Sequence, residues 1–138
     1  METYNLYEII RTFICQRYLA PFPGDINAQI NKFIKYQQDS KLKTSIKSIT
    51  TNYIKNQTII SLWKGDITTL TNKSAIVNTA NSALLGCFQP AHKCIDNVIH
   101  SAAGPDLRQA CFEIIQEQGH EEETEGAKIT PGFNLDAK

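Results

Sequence analysis

The chain carries no net charge, with 14 Lys and Arg against 14 Asp and Glu. A nucleic-acid module normally shows a basic excess on one face, so that class is set aside. No apolar stretch approaches the roughly 20 residues that cross a bilayer, which argues against a membrane protein. The start, METYNLYEII, lacks a basic segment followed by an apolar run, so no secretory signal is read there. A cytoplasmic, intracellular protein is expected. In a reducing compartment the four cysteines (Cys15, Cys87, Cys94 and Cys111) are read as thiols or metal ligands rather than disulfides. There is no internal repeat. Gly-Asp-Ile occurs twice, at 24–26 and 65–67, and only the second follows a strand-like run.

What is present suffices for a folded domain or part of one. The 138 residues are 41% hydrophobic, enough for a packed core. Basic residues gather mildly over 32–55 and acidic ones over 121–125, and both groups read as solvated surface. Residues 4–17 read as a helix, with Leu6, Ile9, Ile10, Phe13 and Ile14 on one stripe. The segment at 21–24 breaks it. Asp25 is placed as N-cap of a second helix carrying Ile26, Ile30, Phe33 and Ile34 on one face. Residues 40–57 are ambiguous: Leu42, Ile46, Ile49 and Tyr53 suit a helix, but Ser and Thr weaken it.

The texture then changes. Thr58–Lys64 is a β-rich run ending at Gly65-Asp66. Ser74–Asn78 is short and apolar, as expected of a strand buried on both faces. Ile95, Val98, Ile99 and Ala102 mark a short helix. Pro105-Asp106 opens another, with Leu107, Ala110, Cys111, Ile114 and Ile115 toward the core and Gly119 at its end. Residues 127–135 read as strand, turn and approach to a further strand. Strands alternating with helices imply an α/β layered fold.

Within 86–100, GCFQPAHKCIDNVIH, Cys87, His92 and Cys94 stand at C-x4-H-x-C spacing. Two thiolates and an imidazole suit Zn²⁺. The competing reading is a loop with two buried thiols and a surface His. Asp96 and His100 share a helix face at i, i+4; an acid beside a metal can orient or deprotonate water. Equally, Asp96 fits a helix-terminal acid and His100 a partly buried ring. Asn78 and Asn81 offer the donors and acceptors that sugar hydroxyls need, and are also ordinary turn residues. Asp66 either accepts from an exocyclic amine or caps a turn through Ile67-Thr68. Cys15 and His120 show no partner pattern and read as structural or exposed. Trp63 reads as a core or rim aromatic.

Four features stand in one order: WKGDIT at 63–68, IVNTAN at 76–81, the Cys/His loop with CIDNVIH at 94–100, and AAGPDL with Cys111 at 102–111. As a set they resemble the macrodomain family over about residues 55–138. The loop GCFQPAHKCIDN is similar to that of the zinc-containing, sirtuin-associated branch, in which a Cys/His sequence replaces a glycine-rich loop. The helical lead-in also resembles that branch.

The resemblance implies a layered α/β/α macrodomain fold, present as its N-terminal half over 56–138 and preceded by a helical extension over 1–55. It implies zinc-dependent removal of ADP-ribose from mono-ADP-ribosylated proteins, with a sirtuin-type ADP-ribosyltransferase as partner system. Asp66 would bind the adenine amine, with the Ile67 backbone nearby. Asn78 and Asn81 would face the distal ribose. Cys87, His92 and Cys94 would hold Zn²⁺ beside it, and Asn81 and Asp96 are the catalytic candidates. The family's second half, with its glycine-rich phosphate loop, has no counterpart before Lys138. Impaired activity is therefore expected of this chain alone. The alternatives are a non-catalytic ADP-ribose-binding module or an inactive macrodomain fragment.

Overall fold

The computed structural model describes residues 5–17, 21–50, 52–73 and 75–137. Its elements in chain order are α1 (Leu6–Gln16), α2 (Gly24–Ser40), β1 (Thr44–Ser45), β2 (Asn52–Lys55), β3 (Thr58–Ser61), β4 (Leu70–Thr71), α3 (Ile95–Ala103) and α4 (Pro105–Gln118). Single 3₁₀ turns occupy Ile46–Ser48 and Ile67–Thr69. The class is α/β.

Among the described residues the strands form two small ladders. β2 and β3 pair antiparallel, Asn52 opposite Ser61 and Lys55 opposite Thr58. β1 and β4 pair parallel, Thr44 opposite Leu70. Both ladders join residues below 56 to residues above it, so the lead-in and the later segment share backbone hydrogen bonds.

α3 is the centre of the molecule. Asp96, Asn97 and all of Ile99–Ala103 are buried. Ile99, Ala102 and Ala103 pack with Leu107 and Cys111 of α4 and with Leu135, while Ile67, Ile76 and Leu84 border this cluster. Gly104 separates the two helices, Pro105 opens α4, and Gly119 closes it in the left-handed conformation at φ 80°. These bounds agree with the sequence expectation.

Other expectations change. α1 exposes Leu6, Ile9 and Phe13, and buries Ile14 and Cys15. Its docked face is thus rotated toward Arg11 and Cys15, because those side chains find partners on α3 and the loop that precedes it (below). Tyr4 and Ser74, ends of an expected helix and strand, lie outside the described residues. Asp25 does not cap α2: Pro23 holds the cap position and Asp25 falls in the first turn. Among its described residues the ambiguous stretch 40–57 holds no long helix of its own and contains β1, a 3₁₀ turn and β2.

Residues 75–80 form no strand, and Val77 is 87% exposed. Residues 127–135 are likewise irregular, with Ile129 exposed. A parallel strand takes its backbone hydrogen bonds only from neighbours, and among the described residues no strand pairs with either segment. Instead these two segments face each other across a cavity of about 740 Å³, floored by Ile99, Ala103 and Leu107.

Candidate functional site

The site is assembled around the N-terminus of α3. Cys94 is its N-cap, and its Sγ accepts from the Asn97 backbone N–H at 3.4 Å. Cys87 and His92 come from the irregular loop before it, with Cys87 Sγ 3.4 Å from His92 Nδ1. The three ligand atoms of Cys87, His92 and Cys94 lie within 4.8 Å of one another. A tetrahedral ion with bonds of about 2.1–2.3 Å needs donor separations of about 3.5–3.8 Å, within reach of small side-chain rotations. The donor set is borderline-soft, unlike the all-oxygen shells of Ca²⁺ or Mg²⁺. These residues therefore fit a metal and leave a fourth position for another ligand.

The cysteines are not equivalent. Partial desolvation raises the Cys87 pKa, but hydrogen bonds involving the Gln89 backbone, His92, Cys94 and Asn97 outweigh it and hold the thiol below its ordinary value. Burial pushes Cys111 up to about 11, so that thiol stays protonated in the core. Cys15, read from sequence as unpartnered, is buried and donates to the Cys87 carbonyl at 2.9 Å.

In the first turn of α3, Asp96 is 6% exposed and Asn97 only 1%. Asn78 Nδ2 donates to Asp96 Oδ1 at 2.7 Å, and the same oxygen stands 3.5 Å from His100 Nε2. Desolvation lowers the His100 pKa to about 4, Asp96 opposing the shift and Arg108 adding to it. His100 is therefore neutral at pH 7, with its Nε2 facing Asp96. Its Nδ1 and the Asn78 Oδ1 are buried without hydrogen-bond partners among the described residues. Asn78, Asn81 and His100 all line the 740 Å³ cavity.

Gly86 makes this packing possible. At φ 80° it takes a left-handed conformation, and a Cβ there would sit 2.8 Å from His100 Cγ. The Gly86 carbonyl accepts from Asn81 Nδ2 at 3.3 Å, which ties the asparagine to the loop carrying Cys87.

Asp66 is not part of this cluster. Its Oδ1 accepts from the Thr68 N–H at 2.9 Å and the Thr68 hydroxyl at 2.7 Å, and Oδ2 pairs with Lys41 Nζ at 3.2 Å. It caps the 3₁₀ turn that places Ile67 beside the core cluster. Although desolvation opposes it, those hydrogen bonds and Lys41 hold its carboxyl below the ordinary value. Asp66 thus caps this turn. His120 is exposed, as expected.

Residues that carry the architecture of the site escaped the sequence reading. Arg108 donates to Leu85 O, Ile14 O and Arg17 O at 2.7–2.8 Å. It thereby fastens the C-terminal end of α1 to α4. A cation there also meets the negative end of the α1 dipole. Its only sequence signal is an Arg adjacent to the buried stripe of α4.

Residues 77–138 match the Macro domain family. A protein of Fusarium oxysporum f. sp. cubense, described as a probable bifunctional ADP-ribose hydrolase/ADP-ribosyltransferase, is 41% identical over 98% of this chain and 24% of its own length. The protein-ADP-ribose hydrolase of Treponema medium is 62% identical over 56% of this chain and 29% of its own length. That of Staphylococcus aureus (strain COL) is 57% identical over 57% of this chain and 29% of its own. The chain spans about a quarter of the length of these curated relatives. It is thus macrodomain-like over residues 77–138, and similar along nearly its whole length to a protein described as an ADP-ribose hydrolase.

Proposed function

We propose that this chain belongs to the catalytic apparatus of a zinc-dependent protein-ADP-ribose hydrolase, which removes ADP-ribose from mono-ADP-ribosylated proteins. The observation that carries the reading is the convergence on one helix end of a metal-competent Cys-His-Cys set and a buried, hydrogen-bonded carboxylate, Asp96. The printed descriptions of the relatives support the reaction class.

Each side chain then has a task. Asn78 and Asn81 line the cavity and offer amide donors and acceptors to ribose hydroxyls. Asp96 orients a water and takes its proton, while neutral His100 and Asn78 hold the carboxylate in place. Asp66, with the Ile67 backbone, takes the adenine end through its exocyclic amine. Cys87, His92 and Cys94 would hold Zn²⁺, which would supply Lewis acidity when bound. Four free thiols suit a reducing, cytoplasmic setting. The Fusarium relative's description names an ADP-ribosyltransferase beside the hydrolase, which supports a partnership with such a transferase; its sirtuin type rests on the resemblance of the Cys/His loop alone.

The test is turnover of a mono-ADP-ribosylated protein by this chain and by Asp96→Asn and Asn81→Ala variants, with released ADP-ribose measured by chromatography. Zinc-loaded wild type should release ADP-ribose, and Asp96→Asn should slow release about 10²-fold or more. Release equal to that of buffer would reject hydrolysis. Titration with ADP-ribose on the same sample then separates a binding module from an inactive chain.

A further inference from the structure

The loop that carries the metal donors has no secondary structure, yet its backbone is held at four carbonyls by side chains from three helices. Arg108 Nε on α4 donates to Leu85 O at 2.7 Å. Cys15 Sγ on α1 donates to Cys87 O at 2.9 Å. Asn97 Nδ2 on α3 donates to Gln89 O at 2.8 Å. Arg11 Nη2 on α1 donates to Pro90 O at 2.9 Å.

Asn97 and Arg11 lock these bonds together. Arg11 Nη1 donates to Asn97 Oδ1 at 3.0 Å, and Ser101 Oγ donates to the same oxygen at 3.1 Å. The Asn97 amide also points at Cys15 Sγ at 3.5 Å, and its backbone N–H faces the Cys94 thiol. Arg11 is steadied on its own helix by Glu8 at 3.0 Å. Asn97 thus touches α1 and the loop with its buried amide, and a metal donor with its backbone N–H.

Loop carbonyls ordinarily turn to water. Taking them from water toward a partly buried guanidinium and a fully buried amide is costly unless every member is satisfied, and here the Asn97 amide is satisfied at both ends. What this arrangement removes is conformational freedom from the loop. Three donors on a fixed backbone meet a metal without the ordering cost that a mobile loop would bear.

We propose that Arg11, Asn97 and Cys15 are positioning residues for the Cys87-His92-Cys94 set, so that α1 is a working part of the metal-binding unit rather than an appended lead-in. The metal half of this statement rests on the function proposed above. The clamping half stands on the hydrogen bonds alone.

The test compares wild type with Arg11→Ala, Arg11→Lys and Asn31→Ala. Asn31 ties α2 to Asp106 of α4 and touches nothing in the loop, so its loss reports general destabilisation. Zinc affinity is read by competition with a chromophoric chelator, and donor geometry by the absorption of the Co²⁺ form. Arg11→Ala should weaken zinc about 10–100-fold and alter the Co²⁺ spectrum. Arg11→Lys, which can reach one acceptor but not both, should fall between. Asn31→Ala should keep wild-type affinity even if it melts earlier. Unchanged affinity in Arg11→Ala, or an equal loss in Asn31→Ala, overturns the proposal. If wild type binds no zinc, the metal reading fails by itself. Amide exchange across residues 86–92 of the metal-free chain then decides the clamp. Exchange at least 10-fold faster in Arg11→Ala than in Asn31→Ala supports it, and equal rates overturn it.

Discussion

Asn78 Nδ2 and Asp96 Oδ1 are 2.7 Å apart, which joins the irregular segment before the metal loop to the first turn of α3. This bond is the main tether on a carboxylate that is 6% exposed and close to a neutral histidine. Removing a donor from a buried charge costs more than a neutral hydrogen bond contributes. Asn78→Ala should therefore lower unfolding stability by about 1–3 kcal/mol at pH 7, read from urea denaturation. A change within about 0.3 kcal/mol would mean that Asp96 is held from elsewhere.

His100 makes the fold acid-sensitive in a defined window. Its folded pKa is about 4, against an ordinary 6.5. Above about pH 6.5 both folded and unfolded chains hold a neutral ring, so its full contribution is present. Between about 6.5 and 4 the unfolded chain takes up a proton that the folded chain refuses. Stability should fall with pH there, by up to about 1.4 kcal/mol per unit, and level off below. Urea midpoints from pH 7.5 to 4 read this, and His100→Gln should flatten the slope. Parallel slopes for the two proteins would assign the effect to other groups.

Cys94 caps α3 and, in the proposed site, is also a metal donor, two roles that can be separated. Serine keeps a capping oxygen and loses the soft donor, whereas alanine loses both. Cys94→Ser and Cys94→Ala should both abolish tight zinc binding. In metal-free protein only the alanine variant should lose about 1 kcal/mol of stability. Chelator competition and thermal unfolding on the same two samples check both halves.

Gly86 and Gly119 share φ 80° but not surroundings: a Cβ at Gly86 meets the His100 ring at 2.8 Å, and one at Gly119 meets nothing within 4 Å. Gly119→Ala should cost about 1–2 kcal/mol, the left-handed penalty alone. Gly86→Ala should cost about 2 kcal/mol more, because the ring must move. Equal melting temperatures for the two variants would show that the His100 ring yields freely.

Much of the site was legible in the residues. The C-x4-H-x-C run lies within eight positions, so a single loop brings its donors together. The bounds of α3 and α4 follow from Cys94, Gly104-Pro105 and Gly119, which act on the chain within a turn of themselves. Asp66 was open between capping and ligand binding. It caps the turn because Thr68 is two residues away and always within reach, while its adenine role belongs to the proposed function.

The strand expected at 74–78 shows the other side. Its composition is that of a buried strand, but composition supplies no partner, and the described part of it runs unpaired. Arg11 to Pro90, Cys15 to Cys87 and Arg108 to Ile14 cross 79, 72 and 94 residues. No local pattern announces such bonds, since a polar residue on a helix looks the same whether it meets water or a distant carbonyl. The sequence alone determined which chemistry the loop can hold and where its two helices begin and end, because those instructions are local. Only the tertiary structure decided what holds the loop still, because a hydrogen bond between distant residues exists only once the helices are docked.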